Sequence, residues 1–177
     1  MGQNIYGVDI GTSNFKMCCK DKDKIINEKN IIAIANKKDI LAFGDEAYEM
    51  YEKAPEHIEV SFPVKFGVIA DIENMQTLLL RFFNKMNDDK KFTGNTDFYI
   101  AVPTDVTEVE KRAFYELVAD SKVKAKNIYI VDKPVADAIG AGLDVTKSKG
   151  IMIVNIGAET TEISVLSLGG IVISKSV

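Results

Sequence analysis

Two short polar turns, each carrying a glycine and each set between strand-forming runs, constrain this 177-residue chain more than any other feature. The first, Gly11-Thr12-Ser13-Asn14, lies between Asn4–Ile10 and Phe15–Cys19. Mostly apolar runs of this length bounded by turn residues read as strands, so the pair forms a hairpin with that turn at its tip. The second, Gly157 to Thr160, lies between Ile151–Ile156, which reads as a buried strand, and Thr161–Leu168, and Gly169-Gly170 then turns the chain into Ile171–Ser174. Glycine lets backbone N–H groups approach an oxyanion, and Thr and Ser hydroxyls add donors. Asp9, just ahead of the first turn, is a residue type that can hold a hydrated Mg²⁺. Either turn alone is also an ordinary polar hairpin tip. Two of one layout suggest a pair of loops facing one ligand.

Between the turns, strand and helix signals interleave. From Ile72 the apolar residues Met75, Leu78, Leu79, Phe82, Phe83 and Met86 recur at steps of three and four, predicting a helix with one buried face. Phe98–Val102 reads as a core strand ended by Pro103. Thr107 and Glu110 have capping-box spacing and open a helix with Ala113, Phe114, Leu117 and Val118 on one side. Ile128–Val131 is the next strand, and Pro134 stands where a first helical turn tolerates it, ahead of Val135–Ala141. Asp45 is expected to cap a short helix running to Lys53, and residues 62–71 to run extended into the long helix. This order gives an α/β class with a mixed sheet.

Composition excludes several function classes. The net charge of −4 argues against a general nucleic-acid binder, which needs a basic surface to neutralise phosphates. No apolar run approaches the roughly 20 residues that span a bilayer. The start has no secretion-signal pattern, and Gly2 fails the myristoylation pattern because position 6 is Tyr6. Cys18 and Cys19 are neighbours on one strand and point to opposite faces, so neither a bridge nor a shared metal is expected. Together these features predict a cytoplasmic protein. His57, the single histidine, lies beside Glu56 and Glu59 in a polar stretch and reads as surface.

Four segments in order, VDIGTSN from Val8, AVPTDVTEVEKRA from Ala101, KPVADAIGAGL from Lys133 and VNIGAETTEISVLSLGGIV from Val154, resemble the superfamily of actin, heat-shock chaperone and sugar-kinase ATPases. Within it the chain is most similar to the bacterial MreB filament proteins, from Ile5 to Val177. The resemblance implies an actin-like, ribonuclease H-like α/β domain: a mixed sheet flanked by helices, with a small α+β insert at about residues 30–66. It implies ATP with Mg²⁺ as ligand, the first phosphate loop at Gly11, Thr12, Ser13 and Asn14, and Asp9 near the metal. It places the second phosphate loop at Asn155, Gly157, Ala158, Glu159, Thr160 and Thr161. Such proteins are roughly twice this length, so the resemblance makes residues 1–177 the first domain, a fragment or a natural short paralogue without its second domain.

The chain departs from that family's pattern at three positions. The second loop of the family reads Asp-x-Gly-Gly-Gly-Thr-Thr-Glu, where this chain has Asn155 for the carboxylate and Glu159 for the third glycine. A carboxylate at Glu159 repels a bound polyphosphate unless it turns away. The family's water-activating Glu is Lys133 here, and an ammonium cannot accept a proton, so weak or no hydrolysis is expected. Lys133 is left to pair with a γ-phosphate or with Glu159. Self-assembly into filaments under the inner membrane, beside wall-synthesis proteins, is what the resemblance implies for partners and location. The alternative is a scaffold that binds filament or membrane partners without turning nucleotide over. Lys90, Lys91 and Phe92 are a thin version of the family's membrane-dipping hairpin, giving at most marginal peripheral contact.

Overall fold

The computed structural model describes residues 4–88 and 95–177, so Gly2 and the Lys90–Phe92 segment lie outside the described residues. Strand β1 (Asn4–Ile10) buries Tyr6, Val8 and Ile10, every second residue, as a pleated strand must when one face meets the core. It pairs antiparallel with β2 (Asn14–Cys19), which pairs with β3 (Ile25–Lys29). The chain then leaves this sheet. β4 (Ile32–Ala35) joins β5 (Asp39–Phe43) and β6 (Ile58–Ser61) in a separate three-stranded sheet, with α1 (Asp45–Met50) between the last two. A small cluster of Ile31, Ala33, Ala42 and Ala47 is its own core.

Asp45 is not the cap of α1. Gly44 occupies that position at φ 67°, and the Asp45 carboxylate instead accepts from the Lys29 backbone N–H at 2.9 Å, tying the helix to β3. The helix ends at Met50, three residues short of the expected Lys53.

Residues 62–71 are not simply extended either. They hold a tight hairpin, β7 (Val64–Lys65) and β8 (Val68–Ile69), turning on Phe66 and Gly67. Asp71 then caps α2 (Ile72–Met86) by accepting from the Asn74 N–H at 3.0 Å. All six residues expected on the buried face of α2 are buried. They pack on the main sheet, with Phe82 stacked on Phe15 at 4.5 Å between ring centroids and edge-on to Phe43 at 5.5 Å.

β9 (Thr96–Val102) lies parallel to β1, and β10 (Asn127–Asp132) lies parallel to β9, giving a five-stranded mixed sheet in the order β10-β9-β1-β2-β3. α3 (Glu108–Ala119) connects these two strands and opens with the expected Thr107–Glu110 capping box. Parallel neighbours need such a crossover, and it brings the carboxyl ends of β1, β9 and β10 to one edge. α4 (Lys133–Gly140) begins at that edge, directly after β10.

β11 (Ile151–Ile156), β12 (Thr161–Ser167) and β13 (Gly170–Ser176) form a third antiparallel sheet. The reading of β11 as a buried strand fails. α4 covers one face of this sheet, where Leu166 and Ser164 are buried, while Met152 and Ile156 on the other face are 67% and 80% exposed.

Phe82→Ala removes the ring that both Phe15 and Phe43 contact, and it is expected to cost about 3–5 kcal/mol of unfolding free energy in urea titrations. Phe66→Ala, at an exposed tip, is expected to change stability by less than about 1 kcal/mol.

Candidate functional site

The two polar turns have the same backbone construction. The Gly11 N–H donates to the Asn14 carbonyl at 3.1 Å, and the Gly157 N–H donates to the Thr160 carbonyl at 2.9 Å. A Cβ on Gly11 would stand 2.8 Å from the Asn14 oxygen, and one on Gly157 would stand 2.9 Å from the Thr160 oxygen. Both turns therefore need glycine for close approach, a requirement the sequence carries without naming its cause. Asn30 braces the first turn: its backbone N–H donates to the Ser13 carbonyl at 2.9 Å and its Nδ2 to the Gly11 carbonyl at 2.8 Å. Lys29, beside it, reaches Ser13 Oγ at 3.1 Å.

The turns face each other across one cavity of about 430 Å³. Asp9, Gly11, Thr12, Ser13 and Asn14 line one side, and Asn155, Gly157, Ala158 and Thr160 another, with Lys133 between. Of the expected site residues, Glu159 and Thr161 are not part of this lining.

The charge of Asp9 is paired by the chain itself. Lys133 Nζ donates to Asp9 Oδ1 at 2.7 Å, and Lys16 Nζ donates to Asp9 Oδ2 at 3.0 Å. Asp9 and Lys16 are register partners across the β1–β2 hairpin, whereas Lys133 arrives on the first turn of α4. Burial works to raise the Asp9 pKa, but the Lys133 ammonium and then Lys16 outweigh it and hold the carboxyl below the ordinary range. One helical turn after Lys133, the Asp137 carboxylate accepts from Asn155 Nδ2 at 2.6 Å. Glu162, also at the cavity, accepts from the Thr104 backbone N–H at 2.9 Å and from the Thr104 hydroxyl. Lys16, Asp137 and Glu162 were not singled out by sequence. Hairpin register from the Gly11–Asn14 tip points to Lys16, and the four-residue helical spacing from Lys133 points to Asp137.

Glu159 does not meet Lys133. Its carboxylate turns out of the cavity and accepts from the Phe66 backbone N–H at 2.6 Å. The adjoining Gly67 N–H donates to Thr12 Oγ1 at 3.1 Å. Phe66 and Gly67 have φ of 50° and 77°, the left-handed pair that a two-residue hairpin turn requires. That conformation aims consecutive N–H groups at the two loops, so the hairpin tip bridges them. The expected repulsion of a polyphosphate by Glu159 is thereby reduced.

Backbone N–H groups, hydroxyls and ammonium groups around one cavity suit an anionic, phosphate-bearing ligand. A divalent cation fits poorly. Asp9, the residue expected near Mg²⁺, has both oxygens engaged by ammonium groups, and Asp137 and Glu162 are held by hydrogen bonds. Among the described residues, no group of three or more His, Cys, Asp and Glu side chains is placed to hold a metal ion.

A mixed sheet flanked by helices, with two glycine turns closing on one cavity, defines an actin-like fold, and solved structures agree. MreB5 of Spiroplasma citri bound to ADP superposes with a TM-score of 0.88 at 31% identity, covering 99% of this chain and 52% of that one. Its complex with AMPPNP gives 0.89 at 30% identity, covering 100% of this chain and 53% of that one. The sequence matches the MreB/Mbl protein family over residues 3–177, and the chain belongs to that family. The cell shape-determining protein Mbl of Bacillus subtilis is 38% identical over 172 residues, 97% of this chain and 51% of its own length. The cell shape-determining protein MreB of Escherichia coli is 34% identical over 182 residues, all of this chain and 52% of its own length. The chain thus spans about half the length of the relatives it matches. No helix among the described residues is long and apolar enough to cross a membrane.

The lowered Asp9 pKa fixes a pH dependence. Because the folded value lies below the ordinary carboxylate value of about 3.9, the ion pairs stabilise the fold above that pH, and this contribution is lost as pH falls through the lowered value. On going from about pH 5 to about pH 2, the native protein is expected to lose more unfolding free energy in urea titrations than Asp9→Asn. Parallel pH profiles would show that the pairing contributes nothing.

Proposed function

We propose that this chain is the phosphate-gripping part of an MreB-like filament subunit that takes part in cell-shape determination, binding ATP or ADP and hydrolysing ATP weakly or not at all. The observation that carries the nucleotide reading is the pair of matching glycine turns facing each other across one cavity lined by Lys16 and Lys133. Family membership supports it, and so do the two MreB5 structures, one bound to ADP and the other to AMPPNP. Residues 1–177 serve on this reading as the first domain of an actin-like protein. The β4–β6 unit is its small insert, and β11–β13 lead toward the partner half.

The residues divide the work simply. Gly11 and Gly157 let backbone N–H groups close on phosphate oxygens. Thr12, Ser13 and Thr160 add hydroxyl donors, and Lys16 and Lys133 supply charge. The base that the family resemblance implies at position 133 is replaced. Lys133 stands where the family has its water-activating carboxylate and is bound to Asp9, and losing a general base costs on the order of 10²–10⁴-fold in rate. That ion pair favours the second reading, a nucleotide-binding scaffold whose assembly does not depend on hydrolysis. Self-association into filaments is the expected mode of action, in the cytoplasm at the inner face of the membrane, with wall-synthesis proteins as further partners.

ATP turnover and assembly are measured on the intact protein beside the triple variant Lys133→Glu, Asn155→Asp, Glu159→Gly. The native protein is expected to turn over at least about 100-fold more slowly while sedimenting as filaments under the same conditions. Equal turnover in the two would mean an ordinary filament ATPase, and failure of the native protein to sediment in any nucleotide state would remove the filament reading.

A further inference from the structure

Among the described residues, each carboxylate lining the cavity already has a partner in the chain, and Asp9 has two ammonium groups. Lys133 and Lys16 take one oxygen each of Asp9, at 2.7 Å and 3.0 Å. The Asn155 amide takes Asp137, and Thr104 takes Glu162. A divalent cation entering here would have to displace an ammonium group that is itself only 18% exposed, at the cost of leaving that charge without its partner. It would gain a single carboxylate in exchange. Mg²⁺ demands near-ideal octahedral oxygen coordination and sheds water reluctantly, so a site already occupied by two ammonium groups offers it little.

Those same groups are well placed for another task. The task of a cation beside a polyphosphate is to neutralise oxygens and hold them in line, and an ammonium with three donors performs it as a point charge. Lys133 is fixed for this role by the first turn of α4 and by Asp9, and it lines the cavity that both phosphate turns line. We propose that Lys133, with Lys16, takes the place of the divalent cation, so that the site grips the polyphosphate of a nucleoside di- or triphosphate with no requirement for Mg²⁺. The inference rests on the nucleotide-binding reading above and deepens it: the ligand is the metal-free nucleotide anion. Lys133 is a binding and positioning residue, not a catalytic one. Asn155 belongs to the same arrangement, because an amide beside Asp137 removes the second carboxylate that would otherwise call for a cation or a proton.

The test titrates the intact protein with the N-methylanthraniloyl fluorescent derivative of ATP, once with excess EDTA and once with excess Mg²⁺. The native protein is expected to bind with affinities within about threefold in the two media. Lys133→Arg is expected to keep that behaviour. Lys133→Glu is expected to lose at least about tenfold in EDTA, some 1.4 kcal/mol, and to regain it with Mg²⁺. Where placing a second carboxylate beside Asp9 prevents folding, as thermal unfolding would reveal, Lys133→Met carries the test and is expected to lose binding in EDTA. A native protein that binds only with Mg²⁺, or a Lys133→Met variant that binds as tightly in EDTA as the native one, overturns the inference and leaves the nucleotide reading standing. No binding in either medium overturns that reading and this inference with it.

Discussion

The carboxylate of Asp9 sits at the end of β1, where the carboxyl ends of three parallel strands meet, and it must be balanced there. Its partners come from opposite directions in the chain: Lys16 across a local hairpin, Lys133 from a helix start more than a hundred residues on. The second pairing requires β9 and β10 to lie in register beside β1, since only then does α4 begin within reach. Sheet topology and site electrostatics are thus one constraint. A slip of one residue along β9 or β10 would turn every side chain of that strand to the other face and carry Lys133 away from its carboxylate.

The loops depend on that frame through a second set of bonds. Asn30 holds the Gly11 and Ser13 carbonyls in place, and it does so while fully buried, with its own Oδ1 left without a hydrogen-bond partner among the described residues. An unpaired buried acceptor costs on the order of 1–3 kcal/mol. The gain lies in the shape of the turn. The Phe66–Gly67 tip adds the cross-link between the two loops, where a residue other than glycine is held at positive φ so that two successive N–H groups point at Thr12 and Glu159. Unfavourable local choices gathered around one cavity are what is expected where geometry serves a ligand rather than stability.

Much of this was legible in the sequence. The six buried residues of α2, the Thr107–Glu110 box and the two glycine turns follow from spacing alone, because each is a local rule of helix or turn chemistry. What sequence missed was non-local. Nothing in the string places Asn30 beneath Gly11 or the Phe66 N–H against Glu159, since both contacts join segments brought together only by packing. The reading of Ile151–Ile156 as buried failed for a related reason. An apolar run reports what a strand is suited to pack against, while its exposure depends on which elements lie over it, and α4 covers a single face of that sheet.

The three departures that the resemblance implies are understood by where each charge goes. Glu159 and Lys133 look like a compensating pair in sequence, one acid gained where one base replaced an acid. In space they are independent. Glu159 leaves the cavity to satisfy a backbone donor at a strained turn, which any acceptor of the right reach would do. Lys133 enters the cavity and neutralises Asp9. Asn155 acts on Asp137 instead: an amide in place of a carboxylate lowers the negative charge there and supplies a donor. Both exchanges move the cavity in the positive direction. Replacing a carboxylate by an ammonium at Lys133 does so by as much charge as a divalent metal ion would bring.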